Sequence, residues 1–366
     1  MTSSLHTDLI YWLAVSHLQT VKPAKLRAWL DRCGSFQTLF ATSAAELTEA
    51  GFSVAEIVKI KNLAWSGLEA EQKWYETEAT VLTFQDPRYP VLLKELADPP
   101  LVLYVSGDPK LLSAPQLGIV GTRYPSPLGR TTAVSFAKAL AEQGLVITSG
   151  LAAGIDGLCH HSTLEAQGKT IAVMGTGLKQ IYPRVHQRLA ERIREAGAVV
   201  SEFPLHMGPM AWNFPRRNRL ISGLSLGILV IEASLRSGSL ITARYAMEQN
   251  REVFAIPGSI HHPLARGCHH LIRQGAKLVE SVTDIIEELG SLAAFLQAQA
   301  EPRASRPEDL APGQLALLNQ VDFSVTAFDS LLLRSGLTAK EVSSMLLLLE
   351  LKGYVQAVQG GYMRCG

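Results

Sequence analysis

Between residues 117 and 258 short apolar runs end repeatedly in a loop of small residues: LGIVGT (117–122), LVITSG (145–150), IAVMGTG (171–177), VVSEFP (199–204), GILVIEAS (227–234) and VFAIPG (253–258). Each run is four to six residues of Val, Ile, Leu, Met, Ala or Phe, and helical pattern follows several of them. Strands alternating with helices predict a parallel sheet. All carboxyl ends of such a sheet open on one edge, where ligands bind. Six loops with bare backbone amides are therefore expected to converge on one cleft. Arg123, Arg184, Arg216, Arg217, Arg219 and Arg236 crowd the same loops. Amides together with guanidinium groups read as a seat for a polyanion.

The chain has 366 residues, which suggests two to four domains. With 47% hydrophobic and 18% charged residues it is globular rather than disordered. No apolar run approaches the ~20 residues that cross a bilayer. The start, MTSSLHTDLIYW, lacks the pattern of a signal peptide. Cys33, Cys159, Cys268 and Cys365 lie far apart, as free thiols in a reducing cytoplasm would. The net charge of +1 hides an asymmetry. Residues 114–280 hold 18 Lys plus Arg against 10 Asp plus Glu, and the rest of the chain is acidic. An anionic partner is therefore expected at the strand-rich middle.

Four segments are expected. Residues 1–74 read as a bundle of about four short helices. Pro23 starts one and Gly34 stops it, while Ser43 with Glu46 and Ser53 with Glu56 have capping-box spacing. A helix-hairpin-helix or SAM-like module fits, for packing or for nucleic-acid contact. Residues 75–295 hold the sheet, with TVLTF and LVLYVSG as extra strands. Residues 296–312 read as a linker rich in Ala, Pro and charge. Residues 313–366 give three helical patterns and a hairpin, a winged-helix fold. Its third helix carries only Lys340 and Lys352, so a protein-contact role is weighed against duplex reading.

The loops supply the candidate binding residues. In LGIVGTRYPSPLGR, the turn Gly121, Thr122, Arg123 exposes amides and places a guanidinium for two-point phosphate contact. A dinucleotide fingerprint is absent, because Gly118 and Gly121 have the wrong spacing and the second strand ends Ser149-Gly150 without an acid. Asp156 follows, and it reads best as a clamp on the glycine loop. His160 and His161 are adjacent, so they point apart on a helix and make no metal pair. Gly175 and Gly177 precede Tyr182 and Arg184. Tyr182 either stacks a base, as in single-strand binders, or packs on the core. Arg216, Arg217, Asn218 and Arg219 form the densest basic segment, with Arg216 and Arg219 on one helical face and Arg217 on another. Ser237, Gly238 and Ser239 open a helix and read as a further anion site. No nucleophile elbow, phosphate loop or metal spacing is present, so no catalytic residue, metal or cofactor is assigned.

GTR, SGLAAGID, AVMGTG with its following YP, SEFP, FPRRNRLISGLS, EASLRSGSLITARYAMEQNREVFAIPG and GCHHLIRQGAKLV occur in that order. Together, over roughly residues 80–280, they resemble the DprA/Smf family of DNA-processing proteins. The resemblance implies an α/β fold: a Rossmann-like parallel sheet flanked by an N-terminal SAM-like domain and a C-terminal winged helix. It implies a cytoplasmic, non-enzymatic protein that binds incoming single-stranded DNA and loads the recombinase RecA. It implies a homodimer formed through the Rossmann-like domain, and no membrane partner. The family's DNA-contacting basic residues fall on Arg123 and Arg184, whereas His161 stands where an arginine is common. The rival readings are a nucleotide-processing hydrolase and a mononucleotide-sensing module. The hydrolase needs a PGGxGT loop, and the comparable stretch here is Ile256-Pro257-Gly258-Ser259-Ile260.

Overall fold

The computed structural model describes residues 2–289, 310, 312–322, 325–351, 354–358 and 360–364. The expected linker lies outside them, apart from Leu310 and Pro312. The chain forms two compact units, residues 1–300 and 301–366.

The first unit opens with six helices: α1 (Thr2–Ser16), α2 (Pro23–Cys33), α3 (Gln37–Ala41), α4 (Ala44–Glu49), α5 (Val54–Lys61) and α6 (Ser66–Glu78). Local chemistry sets their ends. Pro23 opens α2, and left-handed Gly34 closes it with its amide on the Leu30 carbonyl. Both expected capping boxes form, with Ser43 and Glu46 at α4 and Ser53 and Glu56 at α5. These helices do not stand apart from the sheet. Trp12, Leu13, Trp29 and Phe36 share one apolar cluster with Val102, Tyr104 and Ala172. Tyr75 stacks on Tyr104 at 4.5 Å, and the Tyr104 hydroxyl donates to Ser16 Oγ at 2.6 Å. That continuity is why residues 1–74 join the sheet in one unit.

The sheet has nine strands: β1 (Thr80–Thr83), β2 (Val102–Gly107), β3 (Gln116–Val120), β4 (Val146–Ser149), β5 (Thr170–Val173), β6 (Ala198–Ser201), β7 (Gly227–Val230), β8 (Glu252–Ala255) and β9 (Lys277–Leu278). Their spatial order is β1-β2-β6-β5-β4-β3-β7-β8-β9. The strands from β6 to β9 run parallel, and the two expected extra strands add antiparallel at the β6 edge. Strands β3 to β7 are buried at every residue, because helices cover both faces. After the short α7 (Val91–Lys94) those helices are α8 (Pro127–Glu142), α9 (Ile155–Glu165), α10 (Gln187–Ala196), α11 (Asn213–Leu224), α12 (Ser239–Glu248) and α13 (Arg266–Arg273). From β3 the chain winds outward through β4, β5 and β6, then crosses back to β7 on the other side of β3. The strand order reverses there, so the ligand edge lies over β3 and its neighbours.

The second unit has helices Pro312–Leu318, Phe328–Ser335 and Ala339–Leu351, followed by the antiparallel pair β10 (Val355–Val358) and β11 (Gly361–Arg364). Thr338 and Glu341 form the expected capping contacts. Leu317, Leu331, Val342, Leu346 and Leu349 make its core. Three helices and a hairpin are the winged-helix arrangement. Lys352 lies outside the described residues.

Candidate nucleic-acid interface

The turn after β3 is pinned at both ends. The Thr122 amide donates to the Glu232 carbonyl at 2.7 Å, and the Ile155 amide donates to the Thr122 carbonyl at 3.2 Å. Farther along, the Ser126 amide and hydroxyl both donate to the Glu232 carboxylate, at 2.9 and 2.5 Å. Ser126 then caps α8 by accepting the Gly129 amide at 3.0 Å. Arg123 and Tyr124 form the crest between these anchors. Tyr124 is 85% exposed. Arg123 is exposed too, with no ion pair or hydrogen bond among the described residues.

The first turn of α9 brings the next loops alongside. Gly154 has φ +81°, and a Cβ there would lie 2.4 Å from the Thr122 carbonyl oxygen and 2.6 Å from the Arg123 carbonyl. Only glycine lets the Arg123 turn seat so closely. One turn on, a Cβ at Gly157 would lie 2.5 Å from the His186 ring. His186 is held by the Leu151 carbonyl, 2.9 Å from Nδ1. His186 ends the short helix Arg184–His186, so Arg184 is carried to the same end of α9 as Arg123. Arg184 is exposed and likewise without a salt bridge among the described residues. Tyr182, 43% exposed, packs one side on Phe214 with ring centroids 5.4 Å apart. Trp212, two residues before Phe214, is 64% exposed.

Of the other expected contacts, Ser149, Gly150, Gly175, Gly177, Arg217, Arg219 and Ser239 are buried, Arg216, Asn218 and Ser237 are half-buried, and Gly238 is exposed. The Ser149 hydroxyl is wholly buried and donates to the Ile119 carbonyl at 2.6 Å. The Gly150 amide donates to Asp156 Oδ2 at 3.1 Å, so Asp156 does clamp the glycine loop. Gly175 and Gly177 are buried. Added Cβ atoms would meet the Phe214 ring at 2.8 Å and the Pro204 carbonyl oxygen at 2.0 Å, so both glycines are there for close packing. The Gly177 amide is already spent on the Met207 carbonyl at 2.9 Å.

The arginines of α11 also turn inward. Arg217 is 5% exposed and bonds the carbonyls of Gly150 (2.7 Å) and Val173, tying the ends of β4 and β5. Burial lowers its guanidinium to about 10, opposed by the charge of Asp156. Burial in turn pushes the Asp156 carboxyl up, opposed by Arg217 and by the amides of Ala152 and Gly150. On the other helical face, Arg216 and Arg219 share the buried carboxylate of Glu202. Arg216 also donates to Gln19 at 2.7 Å, and Arg219 Nε lies 3.7 Å from Asp98. Arg217 and Arg219 are therefore interior cations and no part of an open rim. Asn218 accepts from Arg217 at 3.2 Å and reaches the Gly238 carbonyl at 3.4 Å. The hydroxyls of Ser237 and Ser239 bond each other at 2.6 Å, and Ser239 is buried.

Glu232, Glu202 and His186 organise this region, a role that no motif in the sequence marks. The signal available was an acid at each of two strand ends in an otherwise basic set of loops. His160 is fully buried, with Nδ1 2.7 Å from Thr170 Oγ1. Burial brings its imidazole down to about 3, helped by the nearby His186 and Arg217. His161, on the opposite side of α9, is exposed and touches Glu165 and Arg192 at 3.1 Å each. Among the described residues no helix is long and apolar enough to cross a membrane.

The family model "DNA recombination-mediator protein A" matches residues 80–290, and the model "DprA winged helix domain" matches residues 301–361. The Smf protein of Escherichia coli K12 is 44% identical over 325 residues, covering 88% of this chain and 87% of its own length. The crystal structure of DNA processing protein A from Streptococcus pneumoniae superimposes with a TM-score of 0.68 at 37% identity. It covers 76% of this chain and 96% of that one. A structure of DNA processing protein A from Helicobacter pylori, described for its single-stranded DNA binding mode, gives 0.53 at 31% identity over 58% of this chain and 96% of that one. Two exposed arginines at one end of α9, a C-terminal winged helix and these matches converge: the chain belongs to the DNA recombination-mediator protein A family, also called DprA or Smf.

Proposed function

We propose that the chain binds single-stranded DNA without regard to sequence, shields it, and delivers it to the recombinase RecA during natural transformation. It acts in the cytoplasm, as a homodimer formed through the sheet domain. The observation that carries this is the pairing of exposed, unneutralised Arg123 and Arg184 at one end of α9, beside the exposed rings of Tyr124 and Tyr182. Guanidinium groups take phosphates, and aromatic faces take any base. A flexible strand can present both to a narrow rim, whereas a duplex hides its base faces. The Helicobacter pylori relative's binding of single strands supports the same reading. No bond need be broken for this task.

Anisotropy of a labelled oligothymidylate against a duplex of equal length tests it. Tighter binding of the single strand is expected, falling with salt at a slope of about −0.7 per phosphate neutralised. Equal binding of both, or none, contradicts the proposal. Strand exchange by RecA on DNA coated with single-strand binding protein tests delivery, and the chain should shorten its lag.

A further inference from the structure

β3 and β7 are neighbours, and the chain leaves them toward opposite sides of the sheet. The crevice between the loops that follow is where an open parallel sheet takes its ligand. The 16-residue helix α8 starts there, and a helix start favours an anion. Here the chain supplies its own anion. The carboxylate of Glu232, 9% exposed, accepts from the Ser126 amide and the Ser126 hydroxyl. Gly129 makes the room: a Cβ there would lie 2.4 Å from the Glu232 carboxyl carbon and Oε2. The Glu232 carbonyl meanwhile accepts the Thr122 amide at 2.7 Å. One residue thus ties down both ends of the turn that lifts Arg123 and Tyr124.

We propose that Glu232 is an internal stand-in for a bound phosphate, and that it serves as the positioning residue for the DNA-gripping turn. It touches no DNA. It fills the anion seat with a fixed carboxylate, and so sets the turn without any small ligand. This rests on the single-strand reading given above.

Glu232→Ala is expected to weaken oligothymidylate binding about fivefold, the order of losing a helix cap. Acetate, added at constant ionic strength, should enter the vacated seat and restore affinity. It should also raise the melting temperature of Glu232→Ala and leave that of the unsubstituted chain unchanged. Glu232→Gln keeps the contact from the Ser126 amide through its oxygen and can keep the other only in reverse, its NH2 donating to Ser126 Oγ, so it should bind between the unsubstituted chain and Glu232→Ala. Gly129→Ala pushes the carboxylate out from the other side. It should weaken binding without acetate rescue, because its methyl group occupies the seat. Undiminished binding by Glu232→Ala or Gly129→Ala, or a loss that acetate does not recover in Glu232→Ala, overturns the proposal. The melting shift needs no DNA. If the unsubstituted chain fails to bind single strands, only the functional reading falls, and acetate stabilisation still decides the role of Glu232.

Discussion

Two sets of arginines occupy this protein, and they do opposite work. Arg123 and Arg184 stand on loop crests in water, with no carboxylate beside them among the described residues. Arg217 and Arg219 lie on α11 at 5% and 6% exposure, each against a buried acid. In the sequence the second set is the denser and the more suggestive of nucleic acid. In the fold it is spent on Asp156, Glu202 and the carbonyls at strand ends. A guanidinium held inside beside a buried carboxylate would have to strand that charge to reach a phosphate, even where, as at Arg219, Nε and Nη1 find no hydrogen-bond partner among the described residues. One that is hydrated and unpaired can meet a phosphate with only the displacement of ions and water. Basic density in a sequence is thus no guide to basic surface when α11 is buried along most of its length.

The sharpest way to break this contrast is to remove a buried arginine. Arg217→Ala leaves Asp156 buried with the Gly150 and Ala152 amides for partners, and should lower stability by about 3 kcal/mol in urea denaturation. An unchanged midpoint would erase the distinction between the sets. Arg219→Ala leaves Glu202 with Arg216 alone and should cost about 2 kcal/mol by the same measurement. Neither change should alter the salt slope of DNA binding in protein that remains folded.

The buried half can also be probed by pH. Unfolded His160 takes up a proton near its ordinary value of 6.5, whereas the folded residue resists down to about 3. The folded state therefore binds fewer protons in that window. Its stability is full above 6.5 and falls as the pH drops from there toward 3, by about 1.4 kcal/mol per unit. Denaturation midpoints between pH 7 and 5 should show this decline, and His160→Asn should flatten it. At the exposed half the smallest effect is expected from Tyr182→Ala, about 1 kcal/mol of lost stacking in anisotropy, with only a small fall in melting temperature from the lost contact with Phe214.

Much of the frame was legible in the chain. The runs at 117–122, 145–150, 171–177, 199–204, 227–234 and 253–258 each overlap a strand of the parallel sheet, to within one residue at its start. The capping boxes at Ser43, Ser53 and Thr338 formed because their partners sit three residues away. Helical spacing also separated Arg217 from Arg216 and Arg219. The loop amides were harder. Gly175 and Gly177 look like bare backbone in sequence, but the glycines admit Phe214 and the Pro204 carbonyl, which come from another part of the chain. The acid that engages each buried arginine is equally remote, so spacing along α11 says nothing of it. The Lys277–Leu278 strand is too short to leave a pattern.

The central claim is that Arg123 and Arg184, and not the arginines of α11, grip the sugar-phosphate chain. Titrating a labelled oligothymidylate with the chain and with Arg123→Ala/Arg184→Ala, from low to moderate salt, tests it most directly. Each change should weaken binding at least tenfold, about 1.4 kcal/mol, and the pair should flatten the salt slope by about 1.4, two contacts at ~0.7 each, with the melting temperature unmoved. Unchanged affinity and slope in a folded double variant would contradict the account.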